Sequence, residues 1–128
     1  PKREGEIRRG AAFVALRRDG AVLLRTRPPK GLLGGMTEVP TSEWRADYDI
    51  ALAVLDAPLE ARWQRLPGLV RHVFTHFPLE LSVLVAKVAA GTAAPEGARW
   101  VPVEALGSEA LPTVMRKVLT AALETRGG

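Results

Sequence analysis

The 128-residue chain is 47% hydrophobic and 25% charged, carries a formal net charge of +4 and contains no cysteine. That balance fits one compact domain around a single core and is neither disordered nor membrane-like, since no apolar run approaches the roughly 20 residues of a spanning helix. The missing cysteines exclude a disulfide framework, a thiol nucleophile and a cysteine-ligated zinc or iron–sulfur site within the chain.

The charge is unevenly spread. Residues 1–30 hold nine basic residues against three acidic ones, a surplus of six, so the remainder carries a net −2. Such a cationic end suits a polyanionic partner, and equally a solvated arginine-rich surface. Residues 1–6 read as the tail of a linker rather than a targeting segment, which points to a piece of a longer protein.

Residues 10–17 and 21–26 are apolar runs separated by Arg18, Asp19 and Gly20, a pattern that predicts a β-hairpin whose turn takes its positive φ from Asp-Gly. Arg27 to Gly35 holds two prolines and three glycines, so it predicts a shaped loop, followed by a short extended piece over 36–40. A helix is expected over roughly 49–55, capped by Ser42 or Asp47 and ended by Asp56, Ala57 and Pro58. Residues 62–66 alternate like a strand, Pro67 and Gly68 break it, and another extended stretch begins at Val70. Alternation continued to Phe77 places His72 and His76 on one sheet face.

Leu79, Leu81, Val83 and Val85 alternate with Glu80, Ser82, Leu84 and Ala86, which predicts the longest strand, with one face well buried. Small residues over 91–97 read as a turn, 99–102 as a short strand and 103–106 as one helical turn. The last element is the clearest helix. Pro112 stands near its start, Val114, Met115, Val118, Leu119, Ala122 and Leu123 form an apolar stripe, and Gly127 and Gly128 end it.

Three stretches, in order and covering most of the chain, carry a family resemblance. They are residues 22–40, with Arg27-Pro28-Pro29-Lys30-Gly31-Leu32-Leu33-Gly34-Gly35 at their centre, residues 69–77, with His72-Val73-Phe74-Thr75-His76, and residues 110–118. Together they resemble the C-terminal domain of MutY-type A/G-specific adenine DNA glycosylases. Thr37 and Val39 stand where that family carries aromatic residues.

The resemblance implies an α/β, Nudix-like fold over residues 1–128, a mixed β-sheet packed between α-helices. It implies a domain that reads 8-oxoguanine opposite adenine in base excision repair and is not catalytic by itself. The adenine is removed by the parent's separate N-terminal domain, which carries a 4Fe-4S cluster; this chain is expected to hold no cofactor. The implied partners are duplex DNA with an A:8-oxoguanine mispair and that catalytic domain, with no membrane, in the bacterial cytoplasm at the nucleoid.

8-Oxoguanine differs from guanine by a carbonyl acceptor at C8 and by a neighbouring ring nitrogen that has become an N–H donor. A hydroxyl, which donates and accepts, suits that edge. The resemblance maps Thr75 to the hydroxyl-bearing probe, His76 to its polar neighbour and Phe74 to the packing anchor. Arg27 and Lys30, with Gly31, Gly34 and Gly35, are the next candidates, because glycine permits close backbone approach and basic side chains neutralise phosphates. The same loop is equally a candidate for docking the two domains. His72 and Arg71 are expected on the same face. Trp44, Trp63 and Trp100 are scattered, which suits core or surface caps better than base stacking.

Two other classes stand beside this one. A Nudix pyrophosphohydrolase needs a ladder of carboxylates on one helix face to hold Mg²⁺ against a diphosphate. The stretch after Pro40 places its helix over 45–55 and lacks that ladder; Glu43 and Asp47, four apart, are the only pair able to share a face. His72 and His76 have no third ligand, so neither a metal site nor a catalytic residue is expected. The third class, a protein-docking module without DNA contact, predicts a buried Thr75 loop and an exposed apolar patch elsewhere.

Overall fold

The computed structural model describes residues 5–126. Strands β1 (Arg8–Arg17) and β2 (Ala21–Thr26) make the expected hairpin, yet only Leu16↔Val22 and Arg17↔Ala21 pair. Gly20 turns the chain at φ 98°, its N–H bonded to the Arg17 carbonyl at 2.9 Å.

Beyond the turn the two strands part, because each has a longer partner. β1 runs parallel to β6 (Pro78–Val88) over its whole length, from Arg8↔Leu79 to Arg17↔Val88. β2 pairs antiparallel with β7 (Ala98–Pro102) and, at its far end, with β3 (Thr37–Glu38). Residues 40–45 take the edge of β1 that β2 leaves open: Phe13 N–H donates to the Pro40 carbonyl, Ser42 N–H to Ala11, and Arg9 and Arg45 exchange both bonds, all at 2.9 Å. β4 (Gln64–Arg65) and β5 (Val70–Val73) share the outer edge of β6. The result is one mixed, seven-stranded sheet.

Alternation along β1 and β6 sends their side chains to two layers. Ala12, Val14 and Leu16, with Leu79, Leu81 and Val83, meet the buried stripe Val114, Met115, Val118, Leu119 and Ala122 of α1 (Thr113–Arg126). Each large side chain of such a stripe contributes about 1.5–3 kcal/mol on burial, which is what holds the helix to the sheet. On the opposite face Ala11, Phe13 and Leu84 meet Ala53 of a 3-10 helix, Ile50–Asp56. Trp63 packs edge-on against Phe13, with ring centroids 5.3 Å apart. A second 3-10 helix, Val103–Ser108, leads into α1. The fold is the α/β arrangement expected, with a mixed sheet between two helical layers.

Several local expectations are corrected. The helix placed over 49–55 is 3-10 rather than α-helical, and Asp49 caps it by accepting from Ala51 N–H at 3.0 Å. Ser42 is instead buried against β1, accepting from Ala11 N–H and donating to the Glu43 carbonyl, both at 2.9 Å. Asp47 pairs with Arg45 at 3.5 Å. Only Ala53 of this helix is buried, so it lacks the apolar stripe that sustains an α-helix by packing.

β6 is buried on both faces from Leu79 to Leu84 rather than on one, since α1 covers one side and the Phe13–Trp63 layer the other. Glu80 tolerates that burial because Arg9 (3.3 Å) and Arg71 (2.6 Å) both pair with it. The strand from Val70 stops at Val73, so alternation does not carry to His76. The linker reading of residues 1–6 and the helix end at Gly127 and Gly128 lie, for residues 1–4 and 127–128, outside the described residues.

Candidate nucleic-acid interface

β5 and β6 form a hairpin whose last ladder pair is Val73↔Pro78. Phe74 N–H donates to the Phe77 carbonyl at 2.9 Å and leaves Thr75 and His76 as a two-residue tip, both exposed. The tip is tied from outside as well: the His76 carbonyl accepts from Gly5 N–H at 2.9 Å.

Beneath the tip lies a group of rings. Phe74 stacks on Trp44 (6.1 Å between centroids, 21° between planes), meets His72 edge-on at 4.7 Å and Phe77 at 5.2 Å. The Arg8 guanidinium sits 4.0 Å from the Phe77 ring centre, a cation–π contact that brings a positive charge to the base of the tip. Phe74 thus packs among three rings beneath the tip. Phe77, 7% exposed, belongs to the core.

His72 and Arg71 part company. Being neighbours on a strand, they face opposite ways: the Arg71 guanidinium goes to Glu80, which corrects the expectation that both serve one surface. Lys117 of α1 donates to the Arg71 carbonyl at 2.8 Å and lies 3.3 Å from His72 Nδ1. Burial, and then the Lys117 ammonium, pull the His72 pKa below its ordinary value, so the charged imidazolium is disfavoured there.

The glycine-rich loop is built by short-range bonds. Gly35 N–H reaches the Pro28 carbonyl at 3.0 Å, Gly34 N–H the Gly31 carbonyl at 3.1 Å and Arg27 N–H the Met36 carbonyl at 2.9 Å. A Cβ at Gly34 would lie 2.4 Å from the Pro29 carbonyl oxygen, so only glycine fits there, and Gly31 and Gly35 adopt φ of 90° and 77°. Lys30 stands exposed at the loop's outer side. Arg27 turns inward: Nη1 bonds buried Glu38 at 2.7 Å, Nε bonds the Leu32 carbonyl at 3.0 Å, and the guanidinium lies 4.9 Å from the Trp44 ring centre. Arg25 holds the other Glu38 oxygen at 2.8 Å.

The structure therefore joins the two candidate regions through Arg27, Trp44 and Phe74. A cleft of about 360 Å³ lies beside them, bordered by Arg8, Arg25, Arg27, Leu32, Ser42 and Trp44. Sequence reasoning passed over Arg8, Lys117 and Trp44 as site residues. Trp44 alone carried a signal, an aromatic in a polar stretch; the other two become visible only once β1 and α1 are placed. Trp63 is core, with Nε1 bonded to the Leu59 carbonyl, and Trp100 sits under Arg17.

The carboxylates after Pro40 are not arranged for hydrolysis. Residues 41–45 are extended against β1, so Glu43 and Asp47 share no helix face and both pair with Arg45. Among the described residues no three His, Asp or Glu side chains converge as a metal-holding group, and the chain has no cysteine.

Residues 11–121 match the NUDIX domain family. The human adenine DNA glycosylase is 32% identical over 122 residues, which is 84% of this chain and 22% of the human protein. The mouse adenine DNA glycosylase is 39% identical over 108 residues, 76% of this chain and 21% of that protein. The chain thus spans about a fifth of the length of these relatives. Among solved structures, the C-terminal domain of mouse MUTYH in complex with human PCNA superposes with a TM-score of 0.76 at 30% identity, covering 94% of this chain and 90% of that one. The MutT protein of Methanosarcina mazei Go1 superposes with a TM-score of 0.70 at 17% identity, covering 99% of this chain and 100% of that one, a likeness of fold alone. The chain belongs to the NUDIX domain family, as a relative of the C-terminal domain of adenine DNA glycosylases.

Proposed function

We propose that this domain is the lesion reader of an adenine DNA glycosylase, sensing 8-oxoguanine opposite adenine in duplex DNA at the bacterial nucleoid. It leaves removal of the adenine to the parent's other domain, where the 4Fe-4S cluster resides. The observation that carries this reading is the exposed Thr75-His76 tip on a hairpin packed down through Phe74. A hydroxyl and a main-chain group held at a fixed tip meet the reversed donor and acceptor of the oxidised base edge without first having to be ordered.

The docking-module alternative expects a buried Thr75, whereas the tip is exposed. The hydrolase alternative expects carboxylates along a helix, whereas the corresponding stretch is extended. Both observations favour the reader.

The test is adenine removal under single turnover by the full-length parent, with 8-oxoguanine or guanine opposite the adenine. Thr75→Ala is expected to lower the preference for the oxidised base by roughly two- to tenfold, the worth of one neutral hydrogen bond. Thr75→Ala with His76→Ala should lower it further, by an amount that departs from additivity because both act on one base edge. A folded double variant that keeps its full preference removes this turn from lesion recognition.

A further inference from the structure

At the other end of β1 and β6 a second concave surface opens between α1 and the β4–β6 edge. It is a cleft of about 450 Å³, within the roughly 300–1,000 Å³ range of ligand sites. Half-buried Leu66 and Val85 form its apolar floor, buried Ala122 of α1 closes it from beneath, and exposed Arg18, Arg62 and Lys87 stand around it. The three cations come from separate places, the turn after β1, the segment before β4 and the penultimate residue of β6, so their convergence is a product of the fold.

No acidic residue borders the cleft, and among the described residues no carboxylate pairs with any of the three. Elsewhere several arginines are matched, among them Arg25 and Arg27 on Glu38 and Arg9 and Arg71 on Glu80. The unmatched set surrounds an apolar recess.

We propose that this cleft docks a protein segment that is acidic and carries an apolar side chain. Charge complementarity selects the acid, since three exposed cations at one rim attract and orient an anionic chain. The floor selects the apolar side chain. A DNA backbone, being polar throughout, gains nothing from covering the apolar side chains of Leu66 and Val85. Position separates the two functions. The cleft lies near Leu16↔Lys87 and the reading tip near Arg8↔Leu79, eight residues apart along paired strands, or about 26 Å at roughly 3.3 Å per residue. A partner seated in the cleft leaves Thr75 open to DNA.

The experiment is a fluorescence anisotropy titration of the chain with a labelled octapeptide of Asp and Glu around one central Phe. Saturable binding is expected, weakened about tenfold when alanine replaces that Phe. It is expected to weaken by a similar factor in the Arg18→Glu, Arg62→Glu, Lys87→Glu variant, the sum of several partly exposed charge contacts. Should that variant fail to melt cooperatively, amide shift changes in the unmodified chain provide the readout, and they are expected to centre on Leu66, Val85 and Ala122. Binding indifferent to the Phe, shifts centred elsewhere, or displacement of the peptide by a short DNA duplex overturns the proposal; the last outcome makes the cleft a phosphate contact.

Discussion

The indole of Trp44 lies almost parallel to the ring of Phe74, 21° between planes and 6.1 Å between centroids, and joins two segments thirty residues apart in the chain. Because Arg27 lies against the same indole, the glycine-rich loop and the reading tip rest on one support. The tip's geometry thus depends on a side chain that, in the proposed mode, need touch no base.

Removing that support should loosen the tip. Trp44→Ala is expected to cost about 2–3 kcal/mol, less than the loss for a fully buried tryptophan because Trp44 is only partly buried. Trp44→Phe should keep most of the stability, since the indole N–H has no acceptor among the described residues. Urea melts measure the stability, and amide exchange at Thr75 and His76 measures the loosening. Equal losses from both substitutions, or unchanged exchange in Trp44→Ala, would separate the tip from its supposed support.

Glu38 presents a different dependence. Its side chain is 2% exposed and holds Arg25 and Arg27, which are 38% and 20% exposed. Glu38→Gln leaves two guanidiniums beside a neutral buried amide. The expected destabilisation is roughly 1–3 kcal/mol, below that of a fully buried pair because both arginines still reach water. A double-mutant cycle with Arg27→Gln should show coupling; additive losses measured by thermal melt would mean the contact contributes nothing specific.

Much of this was legible in the chain because local rules and tertiary needs agree there. The β1–β2 turn, the glycine-rich loop, the extent of β6 and the α1 stripe each follow from period or from glycine and proline chemistry, whereas Phe74, Thr75 and His76 are singled out only by a family resemblance. The failures occur where tertiary context overrules a local signal. Ser42 and Asp47 look like helix caps, but residues 40–45 serve better as an added edge to β1, which leaves Asp49 to cap the 3-10 helix Ile50–Asp56. Arg27 reads as a phosphate ligand until the fold places buried Glu38 within 2.7 Å. The approach of Lys117 to His72 across forty-five residues has no local signature at all.

No hydrolysis of nucleoside triphosphates or dinucleotides with Mg²⁺ is expected from the isolated domain. Two-oxygen clamps on a diphosphate require clustered carboxylates, and Glu43 and Asp47 are instead drawn to Arg45 from an extended stretch. Pyrophosphate or mononucleotide release above a no-enzyme blank, abolished by Glu43→Gln, would contradict this.

His72 should make the domain weaker in mild acid. Its folded pKa is depressed, by burial first and Lys117 second, so the unfolded chain binds a proton at a higher pH than the folded one. The contribution is therefore fully present above the unfolded value of about 6.5 and is lost as pH falls from there toward the folded pKa. Lys117→Met is expected to shift the folded pKa upward only in part, since desolvation is the larger cause. An NMR titration of the imidazole carbon protons reads this directly; a folded pKa at or above that of a model peptide would refute it.

The last expectation separates two cations that the sequence presents as equals. Lys30 is exposed on the glycine-rich loop, whereas Arg27 is committed to Glu38, the Leu32 carbonyl and the Trp44 ring. Lys30→Glu should leave the melting temperature nearly unchanged while weakening DNA binding by the parent protein for lesion and matched duplexes alike. The slope of log affinity against log salt should fall by about 0.9, because one phosphate fewer is neutralised. Arg27→Glu sets a second carboxylate against buried Glu38, so its first effect is on folding, and its effect on DNA follows from a displaced loop. The measurements are a thermal melt and a salt-dependent affinity series for each variant. If Lys30→Glu alters only the preference for 8-oxoguanine, the loop reads the base rather than the backbone. If Arg27→Glu melts like the unmodified chain, the inward ion pair is not what shapes the loop.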